Sequence, residues 1–435
     1  MKIFSSILFI ALLILGLGFF AKNIQKLVRN ILLGKDVDRT DNAFKRWLTM
    51  TRVALGQGKM TVRPISGILH IIVYLGFIVI NIELLEIIID GIFGTHRIFS
   101  FMEGFYDFLI ASFEFLAFLV IVSVVIFWIR RNIVKVKRFW NSEMQGFPKN
   151  DANYILYIEF ILMALFLIMN AADYKLQSLG VYQEAGHFPI SQYVANTLPD
   201  SITVLEIIER TAWWLHIIGI LFFMNYLYYS KHLHILLAFP NTYYSKLEPR
   251  GKLTNLTSVT KEVKMMMNPN VDPFAPPLDL EDENTEKFGA SDANDLSWIQ
   301  LMNAYTCTEC GRCTSVCPAS ITGKKLSPRK IMMDTRDRIE EIGKNIDQNG
   351  TFIPDNKSLL GTYISHEELW ACTSCNACVD ACPVLIDPLS IIIDLRRYLV
   401  MEQSAAPQEL NAMMTNIENN SAPWKFGQSD RLNWK

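Results

Sequence analysis

The chain has 435 residues, is 51% hydrophobic with a positive mean hydropathy, and carries a formal net charge of -2. That length accommodates two domains, the apolar content excludes an ordinary soluble pair, and nothing in a near-neutral balance calls for a nucleic-acid partner. All the long apolar runs fall before about residue 230, while the cysteines, the linker prolines and most acidic residues fall after it, so a membrane half is joined to a polar half.

Five stretches in the first half are apolar over the roughly 20 residues that a spanning helix needs: 3–21, 64–89, 105–129, 154–172 and 204–229. The loop over 22–63 carries ten Lys and Arg and that over 130–149 six, whereas 91–104 and 173–203 carry only Arg97 and Lys175. Basic loops stay cytoplasmic, so the N-terminus is expected outside and the chain leaves the fifth helix in the cytoplasm of a cell inner-membrane protein. A cleaved signal peptide is the competing reading of the first stretch; cleavage would export the basic loop behind it, which favours a retained anchor. Ile24, Leu27, Val28, Ile31 and Leu32 then fall at helical spacing. They suit either an amphipathic continuation along the membrane surface or packing on the bundle itself.

Histidine is scarce, and four of the seven lie in or at the ends of the second and fifth spans: His70, His216, His232 and His234. Ionisable side chains at membrane depth are functional candidates. On one unbroken helix His216 and His234, 18 residues apart, share a face that His232 opposes. Histidines facing a neighbouring helix suit the iron of a transmembrane haem b, one imidazole from each side. The expected pair is His70 with His234, His216 being either orphaned or a further ligand; His70 with His216 is the competing pair. Arg63, seven residues before His70 on nearly the same face, is read as a haem-propionate partner or as a snorkelling interface arginine. Glu114 and Glu159 are intramembrane carboxylates suited to proton relay or to helix–helix hydrogen bonding.

The segments GILHIIVYLGF and WWLHIIGILFFMNYLYYSKHLHILLAFPN resemble the haem-bearing helices of the respiratory nitrate reductase gamma subunit and of the membrane subunit of heterodisulfide reductase. The resemblance covers roughly 1–245. It implies a five-helix bundle with two bis-histidine b haems that exchanges electrons with quinone or methanophenazine. The family's second ligand on the second helix should stand about ten residues after His70, where this chain has Ile80 and Asn81, so one haem is expected and the second is open.

After residue 240 an Asn-, Pro- and acid-rich stretch reads as an extended linker over 241–295. Amphipathic helices follow, with Ser327, Ser365 and Asp387 as N-caps and Pro328 and Pro388 at first helical positions. Among them stand two runs, Cys307, Cys310, Cys313, Cys317 before Pro318, and Cys372, Cys375, Cys378, Cys382 before Pro383, which use every cysteine in the chain. Each reads CxxCxxCxxxCP, the spacing of a bacterial-type [4Fe-4S] ligand set. Disulfides belong to small secreted domains, and zinc leaves the third closely spaced cysteine unexplained. Because the fourth cysteine of each run serves the other cluster, Cys307, Cys310, Cys313 and Cys382 are expected to hold one cubane, and Cys372, Cys375, Cys378 and Cys317 the second. Fifty-four residues separate Cys317 from Cys372, more than a compact strand-rich ferredoxin inserts. The stretch 296–402 resembles instead the alpha-helical ferredoxins of the heterodisulfide reductase C-type subunit and of the succinate dehydrogenase iron-sulfur subunit.

The expected fold is all-α: a five-span haem b domain over 1–240, the linker, a dicluster [4Fe-4S] domain over 296–402 and a polar tail over 403–435, disordered or partner-binding. No dinucleotide fingerprint, P-loop or nucleophile elbow is present. The CCG motif of heterodisulfide reductases is also absent, so no catalytic residue is assigned. The expected function is that of an oxidoreductase subunit of a respiratory chain. It would carry electrons between a cytoplasmic CCG-type iron-sulfur protein or electron-transfer flavoprotein and the menaquinone pool, through two [4Fe-4S] clusters and haem b. A membrane-anchored iron-sulfur redox sensor without quinone chemistry is the alternative, and ion pumping lacks the carboxylate chain it needs.

Overall fold

The computed structural model describes residues 2–269 and 287–433, and contains helices and turns but no strand among them. The middle of the expected linker, 270–286, and Trp434 in the tail lie outside the described residues. The membrane half comprises α1 (Lys2–Leu32), α2 (Ala43–Met50), α3 (Pro64–Phe93), α4 (Gly104–Asn132), α5 (Phe147–Ser178), the short α6 (Ser191–Ala195), and α7 (Ile202–Tyr226). Five helices are long and apolar enough to cross a membrane, spanning 3–32, 64–93, 104–132, 147–178 and 202–229. Helix α4 packs between α3 and α5, α5 against α7, and α1 closes the ring against α3 and α7. Phe113, Ala117, Phe166 and Ile217 fill its interior, while Ile7, Phe108, Phe115, Leu215 and Phe222 point outward. A helix that is apolar on every side needs a hydrocarbon solvent on the side its neighbours leave open.

Two short 3-10 turns follow α7, then α8 (His234–Tyr243) and α9 (Thr257–Met266). The cysteine-bearing unit contains α10 (Trp298–Thr306), α11 (Arg312–Val316), α12 (Pro318–Ile321), α13 (Pro328–Asn349), α14 (His366–Trp370), α15 (Ala377–Ala381) and α16 (Pro388–Met401). The caps expected at Ser327, Ser365 and Asp387 form: each side chain accepts a backbone N–H of the first turn, and Pro328 and Pro388 open their helices. In the tail, α17 (Gln408–Asn420) buries none of its residues.

The far end of α1 follows neither expected course. Its 31 residues make a rod of about 46 Å, longer than the roughly 30 Å hydrocarbon core, so the last turns leave the bundle. Leu27 and Ile31 bury themselves in the core of the cysteine-bearing unit. Around them Lys26 and Arg29 pair with Asp347, Asn30 donates to the Tyr305 hydroxyl at 3.0 Å, and the backbone of Lys35 donates to the Leu296 carbonyl and accepts from the Trp298 N–H. A Cβ on Gly343 would lie 2.4 Å from the Asn30 amide, so only glycine admits this approach.

The loops at the same end of the bundle complete the joint. Arg312 donates to the Lys59 carbonyl at 3.0 Å, and Lys59 to that of Asp380 at 2.6 Å. Arg329, fully buried, donates to the Arg138 carbonyl and to Glu143, both at 2.7 Å. Breaking a buried ion pair from one side costs about 3–5 kcal/mol because the other charge is left without a partner. Arg329→Met is therefore expected to speed hydrogen exchange in the first turn of α13 and in the loop over 137–144, with α16 unaffected. Unchanged exchange in both segments would show that this pair does not hold the halves together.

Candidate iron-sulfur and haem sites

The two cysteine runs fold alike. In the first, Glu309 and Gly311 take left-handed backbone angles (φ 53° and 68°), and Ser374 and Asn376 do so at the matching places of the second (54° and 61°). Such reversals turn consecutive N–H groups inward, the concavity in which anionic clusters sit. The short helices α11 and α15 then start at Arg312 and Ala377 and pack on each other, which carries the last cysteine of each run across to the other loop. Cys307, Cys310, Cys313 and Cys382 line one cavity, and Cys317, Cys372, Cys375 and Cys378 line a second; Cys378 touches both, so the cavities adjoin. The fourth cysteine of each run thus stands where the exchange of ligands expected from the spacing requires it. Among the described residues no three His, Cys, Asp or Glu side chains converge on a single-ion position.

Burial pushes the thiols of Cys307 and Cys378 up to about 12 and that of Cys382 up to about 11. Cluster binding must therefore displace thiol protons and neutralise thiolates in an apolar shell. Backbone N–H groups help: Ser374 donates to Cys372 Sγ at 3.4 Å and Ile386 to Cys382 Sγ at 3.3 Å. Arg396 donates to the carbonyls of Leu369 and Cys372 beside the second cavity, and Arg312 lines the first. The two cavities differ in access. Cys375 is exposed at the second, while the first is walled by Gly311, Arg312 and Arg329, the side turned to the bundle loops.

The structure also brings His70 and His234 together, their ring centres 6.3 Å apart. A metal-bound imidazole nitrogen lies about 2 Å from the metal and its ring centre about 1 Å farther back, so rings on opposite sides of one iron have centres roughly 6 Å apart. His234 Nδ1 faces the Lys231 carbonyl at 3.1 Å, which leaves Nε2 for a metal, and His70 Nδ1 is buried without a hydrogen-bond partner. The residues present thus fit a haem iron. His216 stands apart: its Nδ1 faces the Leu162 carbonyl at 3.0 Å and its ring packs 6.1 Å from that of Phe166. His232 has its Nε2 3.6 Å from Glu159. Arg63, the residue before α3, donates to Ser315 Oγ at 2.7 Å, across the joint between the two halves.

The continuous helix expected from His216 to His234 does not form, although His70 and His234 are adjacent. No single helix joins His216 to His234: the chain breaks at Ser230, which is extended (φ -110°, ψ 149°) between the two 3-10 turns. Buried Asp151 accepts the freed N–H of Lys231 at 3.1 Å and the Tyr226 hydroxyl at 2.6 Å, while Ser230 Oγ accepts from His232 N–H. The break also turns Lys231 toward the cysteines, where its ammonium pairs with Glu309, inside the first cysteine loop. Arg336 holds the other oxygen of Glu309 at 2.8 Å. Sequence reading missed Glu309 and Lys231. Their only signal was a carboxylate between two close cysteines, whose partner lies 78 residues away.

Comparison with known proteins supports the iron-sulfur reading of the cysteine-bearing unit. Residues 306–386 match the 4Fe-4S dicluster domain family. The chain is 29% identical to the probable iron-sulfur-binding oxidoreductase FadF of Bacillus subtilis, over 99% of this chain and 61% of that protein. It is 26% identical to the EtfAB:quinone oxidoreductase of Syntrophomonas wolfei, over 94% of this chain and 56% of that protein. A probable membrane-anchored ferredoxin of Chromohalobacter salexigens is 31% identical over 36% of this chain and 25% of its own length. The chain thus spans less than two thirds of the length of these relatives. No solved structure matches it significantly. Its C-terminal half carries a 4Fe-4S dicluster domain behind a five-helix membrane-type bundle, and the chain is similar to proteins named iron-sulfur oxidoreductases.

Proposed function

We propose that the chain carries electrons between a cytoplasmic redox partner and the menaquinone pool through two [4Fe-4S] clusters and one haem b. The observation that carries this reading is the bis-imidazole separation of His70 and His234, next to Lys231, whose carbonyl faces His234 and whose ammonium pairs with Glu309 inside the first cysteine loop. The clusters and the haem supply reversible one-electron chemistry when bound. The polypeptide sets the order. Cys307, Cys310, Cys313 and Cys382 would hold the membrane-side cluster, and Cys372, Cys375, Cys378 and Cys317 the outer one. The exposed Cys375 marks the face where an electron-transfer flavoprotein or a CCG-type iron-sulfur protein docks.

Between cluster and haem the connection is built from this chain alone. Glu309 precedes Cys310, Lys231 pairs with Glu309, and the carbonyl of Lys231 faces Nδ1 of His234. Arg329 and the end of α1 fix the two halves, so a tunnelling distance does not depend on the linker. In the membrane the N-terminus lies outside and the dicluster domain in the cytoplasm, as the basic loops require. The name of the Syntrophomonas wolfei relative, an EtfAB:quinone oxidoreductase, supports both the partner class and quinone as the membrane-side reactant. The test is the reduced-minus-oxidised optical spectrum of the purified protein. A b-type band together with iron-sulfur bleaching is expected; clusters without haem would favour the membrane-anchored sensor.

A further inference from the structure

At the end of the bundle away from the dicluster domain, a buried polar network surrounds Arg97, which is 7% exposed and has no part in the electron path. Arg97 donates to Asp173 at 2.6 Å, to the Asn170 amide oxygen at 2.9 Å and to the Tyr106 hydroxyl at 3.0 Å. Tyr106 in turn donates to Glu86 at 2.9 Å, and Glu86 also accepts the Phe99 N–H. Glu114 accepts from the Ile190 and Ser191 N–H groups and from Asn170. On the aqueous side His96, about one third exposed, lies 3.4 Å from Asp173.

Stitching helices to loops accounts for Glu86, Glu114 and Asp173, because each spends its oxygens on named donors. It does not account for Glu83. This side chain is 3% exposed, one helical turn deeper in α3 than Glu86, and its Oε2 is buried with no hydrogen-bond partner. Arg97, Glu86, Glu114 and Asp173 are near enough to act on it electrostatically. A bare carboxylate oxygen at membrane depth costs several kcal/mol and gives the bundle no contact in return. Intramembrane carboxylates placed in series with a surface histidine are the parts from which proton relays are made.

We infer that Glu83 is the inner end of a proton path that runs from the aqueous face at His96, by way of Asp173, Tyr106 and Glu86, and that it exchanges protons with the quinone. The inference rests on the quinone reading above. Reduction of one quinone takes two electrons from the reduced protein partner, through the chain, and two protons. The oxygen of each of the two quinone carbonyls gains one proton, and the protons enter from the face opposite the dicluster domain. Arg97 supplies the positive charge that keeps so many acids together; His96, Asp173, Tyr106 and Glu86 are positioning and relay groups.

The test uses the full-length protein, with its clusters and haem, in sealed phospholipid vesicles sorted for outward-facing dicluster domains. The bath is given dithionite and then a menaquinone analogue, and a pH dye reports from the lumen. Luminal alkalinisation in step with reoxidation is expected. Glu83→Gln, of equal shape, should slow it by at least about tenfold, with the optical spectrum and the rate of reduction by dithionite unchanged. His96→Gln should slow it less, because water at the surface replaces an exposed group. An unmoved luminal pH during reoxidation overturns the proton path and leaves the electron path standing. The same holds if Glu83→Gln matches the parent protein. Failure of the analogue to reoxidise the parent protein overturns both.

Discussion

Replacing His234 with Ala is expected to remove the b-type haem band from the purified protein while both iron-sulfur signals remain in its electron paramagnetic resonance spectrum. The ring centre of His234 is 6.3 Å from that of His70, and its Nδ1 is tied to the Lys231 carbonyl, so no nearby side chain takes its place with the same tilt. Among the described residues His232 is the close alternative, 5.4 Å ring to ring from His234, but its Nε2 lies beside Glu159. Loss of one axial ligand from a two-ligand site should lower haem occupancy by at least about tenfold, whereas His232→Ala should keep it. His70→Ala should behave as His234→Ala does. Retention of a full haem band in both of these variants would rule out the pair and return attention to His216.

The second large effect concerns the crossed cysteines. Cys382 follows the second run in sequence, yet it lines the cavity of Cys307, Cys310 and Cys313. Cys382→Ser should therefore cost the cluster next to the bundle and spare the one reached from Cys375. Non-haem iron should fall from about eight to about four per chain, each cluster holding four. The surviving cluster should still be reduced by dithionite, but the haem should then be reduced far more slowly, because the intermediate carrier is gone. The mirror change, Cys317→Ser, should remove the outer cluster and leave haem reduction by small donors intact while abolishing that by a protein donor. If Cys382→Ser instead spared the membrane-side cluster, the ligands would not be crossed.

Much of the architecture is legible in the sequence because it rests on local rules. The five spans follow from run length, the helix starts at Ser327, Ser365 and Asp387 from cap chemistry, and the cysteine cavities from spacing alone. What the sequence hides is tertiary. Nothing near Ser230 marks a helix break, since neither glycine nor proline stands there; the break is held open by Asp151 from another helix. The end of α1 has the periodicity of a membrane-surface helix, and only the presence of the dicluster domain beside it makes that stripe an internal contact. Glu83 looked like any residue of an apolar span, and Arg97 like a stray charge in a short loop. Their meaning comes from Tyr106, Asn170 and Asp173, contributed by two other helices. The proximity of His70 and His234 was reached from an argument that assumed continuous helix. It survives because the turn at Ser230 returns the chain to the same end of the bundle.

The most direct test of electron transfer between clusters and quinone is single-turnover reoxidation of the fully reduced protein by a menaquinone analogue, followed optically at the haem band and by rapid-freeze resonance at the clusters. The haem is expected to lose its electron first, the membrane-side cluster next and the outer cluster last, with Cys382→Ser stopping the sequence after the haem. Clusters that reoxidise without passing through a haem signal, or a reduced protein that the quinone leaves untouched, would contradict it.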